Sequence, residues 1–353
     1  MAKIKVGITI GDINGIGPEV IIKSLSNEMM LNECTPVIYG SSKVLGYHKN
    51  IVQDNGFHFV TTSDATKVSP NKINVINCWS ETVDIDLGQP TQSGGQCAHT
   101  ALDRAVTDLQ EGHIDALVTA PINKHAMKLA DFPYLGHTEF IAEKVGSLGQ
   151  ELMMLVSDKM KVAVVSTHVP ISQVADLVTR ERVRACITAL EQSLRIDFGI
   201  EKPTIGVLGL NPHAGDNGEI GLEDEEIIKP IILELKKKGK LVLGPYSADG
   251  FFGKGLHTKC DAILAMYHDQ GLIPFKALSF GRGVNFTAGL SVVRTSPDHG
   301  TGYDIVGRNI ADPTSFREAI YNAIDIVRSR QDFDEMTEDQ VDQVIIESEG
   351  EIA

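Results

Sequence analysis

The feature that most constrains this fold is the alternation of short apolar runs with longer segments of helical periodicity. The runs at 35–40, 116–121 and 260–267 have the length and composition of buried strands. Between such runs, the segments 97–112 and 183–194 repeat apolar residues every three or four positions, as helices packed on a sheet do. Strands that alternate with helices favour an α/β fold whose sheet is largely parallel.

Further segments complete this alternation. The other predicted strands are 3–10, 73–78, 204–210 and 286–296. The other predicted helices are 17–25, 136–146, 223–239 and 314–329. The segment 151–167 has the pattern of two strands that turn at Ser157–Lys159. Such a hairpin pairs its strands antiparallel, so the sheet is predicted to be mixed.

Bulk properties restrict the class of protein. A chain of 353 residues suits two domains or one large α/β unit. Its formal net charge of −15 argues against nucleic acid or an anionic membrane as a partner. No apolar run is long enough to span a bilayer, and the first residues lack the apolar core of a signal peptide. The five cysteines are scattered without a CxxC pair, which favours free thiols and a cytoplasmic location.

Three histidines follow three separate predicted strands. His168 ends the run VAVVSTH, His213 ends TIGVLGLNPH, and His268 follows AILAMY. Ligands of α/β sheets bind beyond the carboxyl ends of the strands, so these histidines can converge there. Three imidazoles would suit a divalent metal that keeps open positions for a substrate. The alternative is that each is a hydrogen-bonded loop histidine, and sequence position alone leaves both interpretations open.

A glycine-rich segment, GDINGIGPE at 11–19, lies between a predicted strand and a predicted helix. It lacks the Lys-Ser/Thr pair of a Walker loop and also fails the dinucleotide fingerprint. Pro18 suits a first helical position, so the segment is interpreted as a tight strand-to-helix turn. Lys276, Arg282 and Arg294 form the group of cations that an anionic substrate of this acidic protein would need, unless they are solvated surface charges.

The motifs of this chain, taken in order, resemble one known family. GDINGIGPE, TAPINK, GHTEF, STHVP, NPHAGDNG, AMYHDQG, GRGVN and RTSPDHGTG extend from about residue 5 to about residue 330. Together they resemble the 4-hydroxythreonine-4-phosphate dehydrogenase (PdxA) family. The segment HGTGYDIVGRNIADP also resembles the cofactor loop of isopropylmalate and isocitrate dehydrogenases, which bind NAD without a Rossmann fingerprint.

The resemblance implies a two-domain isopropylmalate-dehydrogenase-like fold with mostly parallel mixed sheets flanked by helices. One α/β domain would comprise 1–133 plus 280–353 and carry the NAD adenosine loop. The other, 134–279, would carry the metal ligands and the dimerisation surface. The active site would lie in the interdomain cleft of a homodimer and be completed by the second subunit.

The resemblance also assigns roles to individual residues. The metal ligands would be His168, His213 and His268, holding one divalent ion (Zn, Mg, Co or Mn) per site. Substrate contacts would come from His137, Thr138, Lys276, Asn285 and Arg294. Catalytic roles would fall to Asp249, Asp269 and Lys276, and the base would be His137, Lys276 or a metal-bound hydroxide. NAD, with NADP as the alternative, would contact His299, Gly300 and Asp304 in the loop 299–307.

The implied reaction is NAD- and metal-dependent oxidation of 4-phosphooxy-L-threonine. Its β-keto acid product would decarboxylate to 3-amino-2-oxopropyl phosphate, in pyridoxal 5'-phosphate biosynthesis. The nearest alternatives are dehydrogenases of 4-phospho-D-threonate, 4-phospho-D-erythronate or a dihydrodiol carboxylate. A metal-dependent phosphohydrolase and a non-catalytic binding protein are more distant ones. This chain departs from the family pattern at Ile13, where a proline is common, and at Gly302 and Asp304, which resemble the isopropylmalate enzymes.

Overall fold

The structure, a computed structural model, describes residues 3–54 and 56–350, with side chains as far as residue 338. Its strands are β1 Lys5–Thr9, β2 Thr35–Gly40, β3 Phe59–Thr62, β4 Ile73–Asn77, β5 Ala116–Thr119, β6 Leu152–Val156, β7 Lys161–Ser166, β8 Thr204–Leu208, β9 Leu241–Tyr246, β10 Ala262–Tyr267, β11 Val284–Ala288 and β12 Val293–Pro297. Its α-helices are α1 Gly17–Leu25, α2 Met29–Glu33, α3 Ser42–Val52, α4 Gln92–Gln110, α5 Lys124–Leu129, α6 His137–Lys144, α7 Val174–Leu177, α8 Arg180–Ile196, α9 Lys229–Lys237, α10 Ala248–Gly253, α11 His268–Ser279 and α12 Thr314–Gly350.

Within the described ranges, the strands pair into one sheet in the order β3-β4-β2-β1-β5-β12-β11-β6-β7-β10-β8-β9. The pairs β12–β11, β11–β6 and β6–β7 are antiparallel, and the other pairs are parallel. This confirms the predicted α/β class and the mixed sheet. The predicted domain division would fall between β11 and β6, and it stays a prediction.

The antiparallel strands at the middle reverse the direction of the sheet. As a result β7, β8 and β10, which precede the three histidines, run in the same direction as one another. They run opposite to β1 and β5, because three successive antiparallel pairings separate the two sets. The carboxyl ends of β1 and β5 therefore point to the opposite edge of the sheet from the carboxyl ends of β7, β8 and β10. Strand direction alone does not bring the polar residues after β1 and β5 to the histidines.

The prediction of a single strand over 286–296 was wrong. The chain forms β11 and β12, which pair antiparallel with Phe286 opposite Thr295. Gly289 lies between them with φ of +80°, a left-handed conformation that glycine adopts without steric cost. A side chain there would also meet the Gln150 carbonyl oxygen, because a Cβ atom would lie 2.1 Å from it. The apolar run therefore conceals a turn.

The strand β10 is followed at once by a helix. Gly271 and Pro274 are residue types typical of turns, but both lie inside α11. Gly271 instead allows α11 to approach the sheet, since an added Cβ would lie 2.8 Å from Val162 Cγ1 and 3.1 Å from Ala265 Cβ. His268 is the first residue of this helix, so strand and helix together orient it.

Helices cover both faces of the central strands. All residues of β2 and β5 are buried, as continuous apolar strands of a covered sheet are. A second, smaller apolar cluster includes Leu155, Phe251 and Phe275 and lies beneath α11 and α10. Among the described residues, no helix has the length and apolarity needed to cross a membrane.

Candidate active site

Two of the predicted metal ligands lie side by side. β7 and β10 are parallel neighbours, with Ser166 opposite Tyr267. His168 and His268 follow these strands, and the centroids of their rings are 5.9 Å apart. His268 Nδ1 lies 2.7 Å from Asp269 Oδ1. A carboxylate in that position holds the proton on Nδ1 and leaves the Nε2 lone pair free to bind a ligand.

The surroundings of His168 favour the neutral form of its imidazole. Burial lowers its pKa, and the positive charges of Lys124 and His268 lower it further. Lys124 begins α5, whose first turn is capped by the Asn123 side chain through the amides of His125 and Ala126. An uncharged imidazole is the form that coordinates a cation.

His213 does not form a set of ligand atoms within 4.8 Å together with this pair in the described part of the chain. It belongs to the turn Pro212–Gly218 and has a left-handed backbone with φ of 56°. The nearby Asp249 has a lowered pKa, chiefly through the Ser247 hydroxyl and the Gly250 amide, with a smaller contribution from the charge of His213. Asp249 and His213 therefore form a second group, while Asp269 belongs to the first.

One set of three ligand atoms within 4.8 Å of one another exists among the described residues, and it comprises Asp108, Glu111 and His113. This set lies at the end of α4 and in the turn that follows it, and it includes none of the predicted ligands. Asp108 already accepts hydrogen bonds from Tyr39 Oη at 2.8 Å and Arg104 Nε at 3.3 Å. Within one described chain, the three predicted histidines do not form a closed set.

Arg294 is a buried cation whose hydrogen-bond partners among the described residues are neutral hydroxyls. Its side chain donates to Thr119 Oγ1 from Nε at 3.2 Å and from Nη2 at 2.8 Å. Its Nη1 donates to Thr287 Oγ1 at 3.2 Å and lies 3.5 Å from Thr138 Oγ1. Burial lowers the pKa of Arg294 to about 10, against the opposing charge of Glu139. A buried guanidinium without a bonded carboxylate is a site prepared for an anion.

His137 completes this anion site. Its Nε2 atom is buried and has no hydrogen-bond partner among the residues that the structure describes. Burial, and then the positive charge of Arg294, hold the pKa of His137 well below its usual value. A neutral imidazole with a free nitrogen beside a buried cation can donate to, or accept from, a bound ligand. The predicted substrate contacts His137, Thr138 and Arg294 are thus brought together.

One cavity is lined both by Thr138 and Thr287, which lie beside Arg294, and by His168 of the histidine pair. Its volume is about 1340 Å³, and its lining includes Thr138, His168, Asn285 and Thr287. The cavity continues along α8, where Arg182 and Gln192 line it. Asn285, a predicted substrate contact, therefore faces the same space as a predicted metal ligand. Arg282, in contrast, is an exposed surface residue.

Lys276 pairs with a residue that the sequence analysis overlooked. Its Nζ atom lies 3.2 Å from Asp298 Oδ1. Burial raises the pKa of Asp298, while Lys276 and the charges of His299 and His268 lower it. The Asp298 amide donates to Ser315 Oγ at 2.9 Å, which attaches this carboxylate to the start of α12. The sequence feature that could have indicated Asp298 is its position directly after β12 and immediately before the predicted cofactor residue His299.

The predicted cofactor loop packs against the glycine-rich segment 11–19. The Ile16 amide donates to the Thr301 carbonyl at 2.9 Å. A Cβ atom at Gly15 would lie 2.8 Å from that same carbonyl oxygen, so glycine is required for the close approach. Pro18 lies in the first turn of α1, as predicted. Within the loop, Asp304 and Gly300 are exposed, and His299 Nε2 is buried without a partner.

Comparisons with known proteins agree with these motifs. The model of the family described as pyridoxal phosphate biosynthetic protein PdxA matches residues 32–323. A 4-hydroxythreonine-4-phosphate dehydrogenase from Bacteroides thetaiotaomicron is 49% identical over 329 residues, covering 93% of this chain and 90% of that relative. A protein from Oceanobacillus iheyensis, provisionally named a D-threonate 4-phosphate dehydrogenase, is 39% identical. The match covers 92% of this chain and 98% of that relative.

The fold agrees as well. The crystal structure of 4-hydroxythreonine-4-phosphate dehydrogenase from Klebsiella pneumoniae superposes with a TM-score of 0.81 at 35% identity. The match covers 93% of this chain and 98% of that structure. The extent of the family match and the identity across almost the whole chain lead to one conclusion: this chain belongs to the PdxA family of pyridoxal phosphate biosynthetic proteins and is a dehydrogenase.

Proposed function

We propose that this dehydrogenase oxidises 4-phosphooxy-L-threonine with NAD. The observation that carries the proposal is the buried Arg294, whose hydrogen bonds within the described part of the chain go to threonine hydroxyls. An anionic group of the substrate would be the negatively charged partner that the described residues do not provide for this guanidinium by hydrogen bonding. His137 and Thr138 stand beside it, and Asn285 faces the same cavity. The names of the most similar relatives support this substrate class.

The proposed reaction removes a hydride and a proton from one alcohol group of the substrate. The hydroxyl carbon of the substrate gives a hydride to the nicotinamide ring, and the hydroxyl gives its proton to a base. His137 is suited to accept that proton because it is a neutral imidazole, whereas a lysine such as Lys276 accepts a proton only after it has given up its own. The resulting β-keto acid loses carbon dioxide to give 3-amino-2-oxopropyl phosphate. Asp298 Oδ1 lies 3.2 Å from Lys276 Nζ and restrains that side chain.

The histidine pair fits a divalent ion. His268 has its Nδ1 engaged by Asp269, and His168 is held in its neutral form, so both present the chemistry of metal ligands. When bound, the ion would supply positive charge toward the substrate oxygen that loses its proton. We propose that His168 and His268 of one chain bind it together with His213 of the partner subunit. This arrangement is supported because, among the described residues of one chain, the three histidines do not form a set of ligand atoms within 4.8 Å.

Cofactor binding is assigned to the loop after β12. His299, Gly300 and Asp304 are proposed to contact the adenosine half of NAD. Asp304 is exposed and would accept a hydrogen bond from a ribose hydroxyl, which favours NAD over its 2'-phosphorylated form. The loop is attached to the turn that begins α1, so it has a fixed support.

The decisive experiment is NADH formation with 4-phosphooxy-L-threonine, compared with 4-phospho-D-threonate and 4-phospho-D-erythronate, with and without added divalent metal. A metal-dependent rate that is highest on the phosphothreonine supports the proposal. A preference for D-threonate 4-phosphate would favour the second candidate, which the Oceanobacillus relative motivates. No NADH from any of the three substrates, with metal present, would overturn the proposed reaction.

A further inference from the structure

The predicted cofactor loop and the segment after it are attached to the first strand-to-helix turn by three separate contacts. The Ile16 amide donates to the Thr301 carbonyl. Tyr303 Oη donates to Asp12 Oδ2. The Ala311 amide donates to Glu19 Oε1 at 2.9 Å, just beyond the loop. The first and third contacts use main-chain groups of the loop or its flank, so any residue could supply them there.

Tyr303 makes the one contact that depends on a loop side chain. Among the described side chains of 299–307, it is the one that hydrogen-bonds to a residue outside the loop. Its neighbours in the loop turn back on themselves, since the Ile305 and Val306 amides both donate to the Gly302 carbonyl at 3.1 Å. The tyrosine therefore attaches the middle of the turn, directly beside Asp304.

Asp12 is built to receive this hydroxyl. It is 1% exposed, and its Oδ1 accepts from the Asn14 amide at 2.9 Å. Its own amide donates to the Pro121 carbonyl at 3.0 Å, which ties it to the end of β5. Burial raises the pKa of Asp12, while the hydrogen bonds from Tyr303 and Asn14 lower it. The second carboxylate oxygen thus has the tyrosine hydroxyl as its buried partner.

The surroundings leave the tyrosine little freedom. A Cβ atom at Gly88 would lie 3.1 Å from the Tyr303 carbonyl oxygen, so the segment before α4 packs directly on the loop. The Gly88 amide in turn donates to the Asn14 carbonyl at 2.9 Å. The loop therefore lies between the segment 11–19 and the segment around Gly88. Tyr303 links the loop to Asp12, which belongs to the buried segment 11–19.

We propose that the Tyr303–Asp12 hydrogen bond holds the loop 299–307 in the conformation that accepts the adenosine half of the dinucleotide, which makes Tyr303 a positioning residue for the cofactor. This inference rests on the proposed function, because it takes NAD as the ligand of the loop. The bond places Asp304 before the ligand arrives, and a loop that is ordered in advance binds with a smaller entropic loss.

The test compares Tyr303→Phe with Tyr39→Phe. Each substitution removes one hydroxyl from a buried tyrosine–aspartate pair, since Tyr39 Oη donates to Asp108 at 2.8 Å. The dissociation constant of NAD is measured by titration calorimetry, and amide hydrogen exchange is measured over 299–309 without cofactor. We expect Tyr303→Phe to weaken NAD binding roughly tenfold and raise its KM similarly, with kcat within about twofold. Exchange over 299–309 should accelerate, and Tyr39→Phe should change neither quantity.

The double variant Asp12→Asn with Tyr303→Phe protects the test against misfolding, because it removes the buried carboxylate together with its partner. Equal NAD affinity in wild type and in both Tyr303 variants would overturn the proposal, as would unchanged hydrogen exchange over 299–309. Wild-type protein that binds no NAD would instead overturn the proposed function. The exchange measurement needs no cofactor, so the two failures are distinguishable.

Discussion

Arg294 contributes both a buried positive charge and a fixed hydrogen-bond geometry to the anion site. Its guanidinium spans Thr119 on one side and Thr287 on the other, and no carboxylate neutralises it by direct contact among the described residues. A lysine would keep the charge but lose the planar fork that reaches both hydroxyls. Position, and not charge alone, is therefore what this residue contributes to the anion site.

We expect Arg294→Lys to lower kcat/KM for the phosphorylated substrate about 100-fold, which corresponds to about 2.7 kcal/mol. Steady-state kinetics on folded protein measure this effect. Arg282→Lys is the matched control, because Arg282 is exposed, and its kcat/KM should remain within about twofold. Equal losses in the two variants would mean that Arg294 contributes only general positive charge.

His48 provides a pH-dependent prediction. It is buried, its Nε2 bonds the Ile13 carbonyl at 2.9 Å, and burial lowers its pKa below the usual 6.5. The unfolded chain therefore takes up a proton near pH 6.5 that the folded protein resists. This difference reduces the free energy of unfolding as the pH falls through that value toward the folded pKa.

His48→Gln should lessen this dependence, since glutamine can still donate to Ile13 and does not titrate. Urea unfolding at about pH 5.5 and about pH 7.5 measures the difference, and the variant should lose less stability at the lower pH than wild type. His58→Gln, at an exposed position, controls for the removal of one histidine. Identical pH dependence in wild type and His48→Gln would contradict the prediction.

At the scale of elements, the orientation of α11 depends on a glycine. The helix begins at His268 and carries Lys276, and it lies close to β7 and β10 because Gly271 has no side chain. An added methyl group would press on Val162 and Ala265, and the helix would move with both functional residues. The spacing of helix and sheet is thus part of the site.

Gly271→Ala should destabilise the protein by roughly 1–3 kcal/mol and reduce kcat/KM, because the methyl group overpacks this contact. Gly46→Ala in α3 is the matched control, since nothing lies within 4 Å of its added Cβ. That variant should gain roughly 0.5–1 kcal/mol, from lower entropy of the unfolded chain. Denaturant unfolding and kinetics check both, and a stabilised Gly271→Ala would show that the helix adjusts freely.

At the scale of the whole molecule, the proposed metal site needs two chains. If His213 of the partner subunit completes the pair His168 and His268, inactive His213→Asn and His268→Asn chains should complement each other. A mixed dimer would hold one intact site and one site that lacks two ligands. Homodimers of either variant would hold none.

Co-expression of the two variants should therefore restore about one quarter of wild-type activity per chain, for random pairing into dimers. Co-expression of His168→Asn with His268→Asn is the control and should restore none, because those ligands come from the same chain. Bound metal, measured on the purified mixed dimers, should follow the activity. Absence of recovery in the first pair, with mixed dimers present, would show that His213 does not come from the partner.

The sequence by itself determined the class of the elements and the family. Apolar runs and helical periodicity are local properties, so β2, β5, α8 and the hairpin of β6 and β7 form where the pattern predicted them. The ordered motifs were sufficient to indicate the family, because each motif is a short continuous segment.

Tertiary structure decided what depends on distant contacts. Sequence patterns revealed neither the turn at Gly289 nor the helix that begins at His268, since a glycine among apolar residues does not show whether it turns the chain or allows close packing of a neighbour. Arg294 and Thr119 are 175 positions apart, and only the pairing of β12 with β5 brings them together. The attachment of Tyr303 to Asp12, across 291 positions, arises in the same way. Local sterics act within a few residues, whereas a binding site is formed by packing between segments that the sequence separates.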